Sequence, residues 1–174
     1  MSNWDKIFKP IVVLCAICIV ITGALAATNS VTAPIIEAAT IAAQNAARIE
    51  LLPEADGFTS IDVAVENVSD VSVSNNGVGT VITSAGKGYG GTITVMTAFT
   101  PDGVIKQIKI TEQSETAGLG TKIVSEPSFQ ESFAGLPAAP FTVNDIDAIT
   151  GATISSKAVT AAVNSAVEAF NAIP

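Results

Sequence analysis

Histidine is absent from this 174-residue chain. That removes the commonest general base and the commonest metal ligand near neutral pH. With it go Ser-His-Asp catalysis and any zinc or non-haem iron centre built on imidazole. Only 2 cysteines are present, Cys15 and Cys18, both close to the N-terminus. The remainder of the chain therefore offers neither a disulfide nor a redox thiol, and two thiols alone do not complete a four-cysteine cluster. Positive charge is also scarce: 8 Lys and Arg stand against 16 Asp and Glu, for a net charge of -8 and a pI near 4.3. Such a balance argues against nucleic acid as a partner and disfavours lying on an anionic lipid surface. If the protein does chemistry near neutral pH, a bound cofactor is the agent expected to carry it.

What is there begins with one long apolar run. Residues 11–27 are at the short end of what spans a bilayer, and Ile7 and Phe8 extend the stretch at its start. Lys6 and Lys9 precede the run and no Lys or Arg follows until Arg48, so the N-terminus is expected in the cytoplasm and the folded part outside the cell membrane. Trp4 suits the interface. We read residues 1–27 as a cytoplasmic N-terminus and an uncleaved single-pass anchor in the lipid bilayer. The competing reading is a cleaved signal peptide, because Ala24-Leu25-Ala26 fits a small-residue cleavage site. Cys15 and Cys18 share one helical face and read as small residues of a membrane helix.

Residues 28–56 are Ala-rich, with Val31, Ile35, Ile36, Ala39, Ala42, Ala43 and Ile49 at an imperfect helical period. They read as a helical stalk, kinked or restarted at Pro34 and ended by Pro53 and the Glu54-Ala55-Asp56-Gly57 sequence after it.

Residues 57–174 form the domain. Residues 61–73 alternate in part, Asn75-Asn76-Gly77 is a turn, and residues 78–82 and 92–100 are further strand runs. Pro101-Asp102-Gly103 closes a hairpin into residues 104–111, where Val104, Ile108 and Ile110 are expected on one face and Ile105 on the other. Between two runs lies Gly86-Lys87-Gly88-Tyr89-Gly90-Gly91. A strand and not a helix follows, so this is no phosphate loop; a bulged strand edge is the plainer reading. Phe129, Phe133 and Leu136 are spaced as the core face of a short helix, and residues 141–143 are read as a last strand. Strands first, with helices at both ends of the chain, give an α+β class: an N-terminal transmembrane helix, then an antiparallel sheet domain with flanking helices.

The chemistry concentrates at Asp147-Ala148-Ile149-Thr150-Gly151-Ala152-Thr153-Ile154-Ser155-Ser156. Gly151 and Ala152 allow a bulky group close to the backbone beside the Thr153 hydroxyl. Ser155 and Ser156 are N-cap types, and Val159, Val163, Val167 and Phe170 then recur at helical spacing. Thr153 is thus expected where an incipient helix directs free N–H groups, a favourable place for a phosphate held noncovalently or esterified to the hydroxyl.

The pattern Asp147-x-x-Thr150-Gly151-Ala152-Thr153 resembles the attachment motif of the FMN-binding domains in the RnfG and NqrC subunits of bacterial ion-pumping oxidoreductases. A second segment, Glu112-Gln113-Ser114-Glu115-Thr116-Ala117-Gly118-Leu119-Gly120-Thr121-Lys122, resembles that family's H-S-E-T-P-G-L-G loop, and residues 86–91 resemble the G-Y-G-G-P stretch ahead of it. Gln113, Ala117 and Thr92 stand where the family has histidine, proline and proline.

The resemblance implies that a flavin transferase joins the phosphate of FMN to Thr153 by a phosphoester. It implies also that the chain passes electrons, one at a time, between neighbouring membrane and peripheral subunits of an ion-translocating ferredoxin:NAD oxidoreductase of the Rnf type, with little turnover alone. An NqrC-like subunit of a sodium-pumping quinone reductase is the near alternative. A noncovalent flavin domain and a cofactor-free surface domain are the more distant ones. Around the flavin, Gly118 and Gly120 permit close backbone approach, Leu119 offers an apolar face, and Thr116 and Thr121 can hydrogen-bond the ring edge. Glu115 is read as orienting the loop, Lys122 as either a solvated charge or a neighbour of the ring, and Asp147 as bracing the threonine loop or being read by the transferase. Thr150, Gly151, Ala152 and Ser155 complete the expected site; no catalytic residue and no metal is expected.

Overall fold

The computed structural model describes residues 8–173; Trp4, Lys6 and Ile7 lie outside them. Helix α1 runs Lys9–Leu51 as one element, and Pro34 lies inside it without ending or restarting it. By its internal packing the chain divides between Gln44 and Asn45. In the first unit the helix is apolar and exposed, with a mean hydropathy of 2.7 over its most apolar stretch, and is long and apolar enough to cross a membrane. Leu51 is the last helical residue, and the chain turns at Pro53 and Glu54.

The second unit is built on a five-stranded antiparallel sheet: β1 (Phe58–Ile61), β2 (Val68–Ser74), β3 (Thr80–Lys87), β4 (Thr92–Phe99) and β5 (Ile105–Glu112). The spatial order β1-β2-β3-β4-β5 is the chain order, so every connection is a turn between neighbours. The run expected over residues 61–73 is in fact two strands. Asn67, at φ 63, turns the chain between them, and its carbonyl accepts from Ala85 N at 2.8 Å. The glycine-rich stretch is the β3–β4 hairpin and not a bulged edge: Lys87 pairs with Thr92, and Gly88 N donates to Gly91 O at 2.8 Å.

Helix α4 (Thr153–Asn171) covers one face of this sheet. Its Val159, Val163 and Val167 are buried against Ile82, Val95 and Ile108, and Phe170 stacks on Phe99 with ring centroids 4.7 Å apart. Ile105 belongs to this same core. Beyond Ile108 the period would carry it to the opposite face, but Ala98 pairs with Gln107 and Phe99 with Ile105. Lys106 is thus an extra residue whose bulge returns Ile105 to the face of Ile108 and Ile110. Small helices α2 (Lys122–Ser125) and α3 (Pro127–Glu131) close the edge at β5, with Phe129 and Phe133 packed edge-to-face at 5.4 Å.

The opposite face of the sheet is also covered. Ala47 and Leu51, from the end of α1 within the second unit, and Leu52 just after it pack on Val81, Met96 and Ala98. Around this second core, Arg48 donates to Asp70 at 3.0 Å, Lys106 to Glu54 at 2.6 Å, and Lys109 pairs with Glu50. The strand expected at residues 141–143 does not form. Thr142 instead caps a 3₁₀ turn, Val143–Asp145, in which Asp145 Oδ2 accepts from Thr142 N and Thr142 Oγ1, each at 2.8 Å. Those donors, the backbone N–H first, hold the Asp145 carboxyl below the usual aspartate range.

Candidate functional site

Three segments distant in the chain meet at the N-terminal end of α4. The first is the start of the helix itself. Ser155 and Ser156 were expected as caps; the helix instead begins at Thr153, with Ala152 in the cap position and no side-chain cap. Gly151, at φ 85, turns the chain into the helix from a conformation that L-residues rarely adopt. The serines inside the first turn have other partners. Ser156 Oγ accepts from Ile149 N at 3.2 Å and so ties down the approach to the helix. Ser155 Oγ donates to Glu115 Oε2.

Glu115 is the residue on which the segments converge. It is buried, at 8% exposure, and its other oxygen accepts from Gly90 N at 2.9 Å. One carboxylate thus bridges the tip of the β3–β4 hairpin, the loop after β5 and the first turn of α4. Its own N–H donates to Gln113 Oε1 at 2.6 Å, so the glutamine standing at the family's histidine position braces the loop from inside. Gly120 closes the arrangement. A Cβ there would lie 2.6 Å from Glu115 Cβ and 3.0 Å from Ser155 Oγ, so Glu115 would have to shift and Ser155 to give way.

These contacts leave a pocket of about 590 Å³ lined by Tyr89, Glu115, Thr116, Leu119, Gly120, Gly151, Ala152, Thr153, Ile154 and Ser155. The volume lies within the ordinary range for a cofactor site, about 300–1,000 Å³. Of the residues expected from sequence, Glu115, Thr116, Leu119, Gly120, Gly151, Ala152, Thr153 and Ser155 are in its wall. Gly118, Thr121, Lys122, Asp147 and Thr150 are not. Thr121 Oγ1 accepts from Gly118 N at 3.0 Å, fixing the turn, and Lys122 faces Glu126 at 3.6 Å. Asp147 and Thr150 are exposed on the approach to the helix.

Sequence reasoning gave no role to Tyr89 and Ile154, both of which line the pocket. Their exposure carries the signal: Tyr89 is 75% and Ile154 54% exposed. Among the described residues after 49, the other exposed large apolar side chains are Leu119 and Val124. Three of these four lie in the pocket wall, where an apolar rim is what a flat heteroaromatic ring requires.

The FMN-binding domain family matches this chain over residues 88–168, from the hairpin to the body of α4, and so includes every segment of the pocket. The chain is 35% identical to the G subunit of the Na(+)-translocating ferredoxin:NAD(+) oxidoreductase complex of Acetobacterium woodii, across 97% of this chain and 93% of the relative. It is 34% identical to the G subunit of the proton-translocating ferredoxin:NAD(+) oxidoreductase complex of Clostridium ljungdahlii, across 83% and 80%. To the G subunit of the ion-translocating oxidoreductase complex of Methanosarcina acetivorans it is 32% identical, across 99% and 98%. The wall fits the group that the matched family binds. Exposed apolar side chains line it, and an uncapped helix start carries a hydroxyl at Thr153.

Proposed function

Since this chain belongs to the family of G subunits of ion-translocating oxidoreductase complexes and carries an FMN-binding domain, we propose that it is a membrane-anchored electron-transfer subunit of a Rnf-type complex, with FMN esterified through its phosphate to Thr153. FMN, when bound, supplies the redox chemistry, accepting and releasing electrons. The work of the chain's own residues is to hold, orient and shelter it. Thr153 is the first residue of α4, exposed, and in the wall of the same pocket as Leu119 and Gly120; this one observation carries the reading. A phosphate on its hydroxyl lies at the positive end of a 19-residue helix, where unpaired N–H groups and the helix dipole favour an anion. Tyr89, Leu119 and Ile154 offer apolar surface to the ring, and Thr116 a hydroxyl to its polar edge.

On this reading residues 1–27 are the cytoplasmic N-terminus and the anchor, 28–56 the stalk and 57–174 the cofactor domain, with residues from 45 onward belonging to the same compact unit as the sheet. Lys9 ahead of the apolar run, with no basic residue before Arg48, supports a cytoplasmic N-terminus and an extracytoplasmic cofactor domain. A covalent bond suits that location, because a cofactor lost outside the cytoplasm is not easily regained and a tethered ring docks at high effective concentration. The two relatives named for ferredoxin:NAD oxidoreduction support that electron path, with the other complex subunits as partners and a flavin transferase for maturation.

Peptide mass spectrometry and in-gel flavin fluorescence of the denatured full-length chain test the reading, after expression with a flavin transferase. The expected result is a fluorescent band with the mass of FMN less one water on the peptide containing Thr153, and its complete loss in Thr153→Ala. A dark wild-type band, or a label that survives Thr153→Ala, overturns the attachment.

A further inference from the structure

Glu115 does more than join three loops. Both of its oxygens accept hydrogen bonds, from the Gly90 N–H at 2.9 Å and from the Ser155 hydroxyl. Among the described residues no Lys or Arg pairs with it: Lys106, Lys109 and Lys122 are engaged with Glu54, Glu50 and Glu126, and Arg48 with Asp70. The carboxylate in the pocket wall thus makes no ion pair among the described residues, Lys87 of the hairpin and Lys157 of α4 included, and is held by neutral dipoles. The largest of these is the N-terminus of α4, equivalent to roughly half an elementary charge, so the full charge of the carboxylate outweighs it.

Resting on the FMN reading above, we propose that Glu115 is a positioning residue that also sets the reduction potential of the site, its charge making the bound flavin harder to reduce. An electron that enters the ring from an external reductant adds negative charge beside a carboxylate that solvent screens poorly, and the two repel. No bond of the protein forms or breaks in this step; any proton taken up with the electron comes from solvent. Fixed in place by Gly90 and Ser155, the carboxylate cannot swing away from the pocket to relieve that repulsion.

Spectroelectrochemical titration of the FMN-loaded, full-length protein in detergent tests this, comparing wild type, Glu115→Gln and Ser155→Ala. Glu115→Gln removes the charge in nearly the same shape, whereas Ser155→Ala loosens the same hydrogen-bonded clasp but keeps the charge. The expected result is a midpoint shifted to more positive potential in Glu115→Gln and little moved in Ser155→Ala. An unchanged or more negative midpoint in Glu115→Gln overturns the proposal, and so does an equal rise in both variants, which is the mark of a purely structural role. Should Glu115→Gln fail to retain FMN, Glu115→Asp decides, since it keeps the charge on a shorter arm: a midpoint near that of wild type supports the charge effect and a raised one refutes it. Wild type that takes up no FMN overturns the site reading and this inference together. Wild type that loads FMN, with a midpoint indifferent to the charge, overturns this inference alone.

Discussion

Gly120 shows how finely the site is fitted. With Glu115 Cβ at 2.6 Å, Glu115 Oε2 at 2.8 Å and Ser155 Oγ at 3.0 Å from where its Cβ would stand, the glycine is required by its neighbours in the loop and in the helix. Gly120→Ala is expected to cost about 1–3 kcal/mol, the usual range for overpacking, and to lower FMN loading by pushing the carboxylate off Ser155. Urea denaturation and flavin absorbance check the two effects. At this scale much was legible from sequence. Thr153, Gly151, Glu115, Thr116, Leu119 and Gly120 were all picked out by their motifs and all line one pocket, while Gly118 shapes the turn beside it. Tyr89 and Ile154 lie inside those motifs but were given no role, because their place in the wall depends on how a hairpin and a helix are set in space, which local spacing does not encode. Ser155 shows the converse. Its type identified a helix start, but a serine there can cap the backbone or bond a distant carboxylate, and only the fold brings Glu115 within reach.

Among the elements, the packing of α4 on β3 decides where the site sits. Gly86 lies under the helix so closely that a Cβ would meet Ala158 O at 2.0 Å, and Ser84 Oγ donates to Ala162 O at 2.7 Å one turn further on. Gly86→Ala thus confronts backbone and not a yielding side chain. It is expected to destabilise the protein by more than the roughly 1–3 kcal/mol of ordinary overpacking and to displace the helix that carries Thr153. Thermal unfolding and the yield of flavin-labelled chain measure this. The antiparallel meander and the closing amphipathic helix were readable from the alternation of apolar residues and from Val159, Val163 and Val167. The errors arose where one residue changes the geometry: Asn67 splits a strand, the bulge at Lys106 moves Ile105 to the other face, and the Thr142–Asp145 cap replaces a strand.

For the whole molecule, the division between Gln44 and Asn45 places the end of α1 with the folded domain, not with the apolar helix before it. Leu51 and Leu52 are 2% and 0% exposed, and each buried leucine contributes roughly 1.5–3 kcal/mol. Against a total stability of about 5–15 kcal/mol for a domain, that is a large share, whereas the exposed pairs of Lys106 and Lys109 with glutamates add little. A chain of residues 45–174 is expected to unfold cooperatively in urea. One of residues 53–174 is expected to unfold at clearly lower urea, or to be unfolded from the outset, because one face of its sheet has been stripped. Sequence composition marked residues 28–56 as helical but left open which part of them packs on the sheet.

The clasp at Glu115 also imposes an order in time. Its two partners lie 25 and 40 residues away along the chain, one in a local hairpin, the other in helix α4. Without α4 docked the pocket lacks the wall that Thr153, Ile154 and Ser155 supply. On the proposed attachment, loading of the cofactor is expected to report that the pocket has assembled, which a comparison of flavin labelling on native and urea-unfolded chain checks.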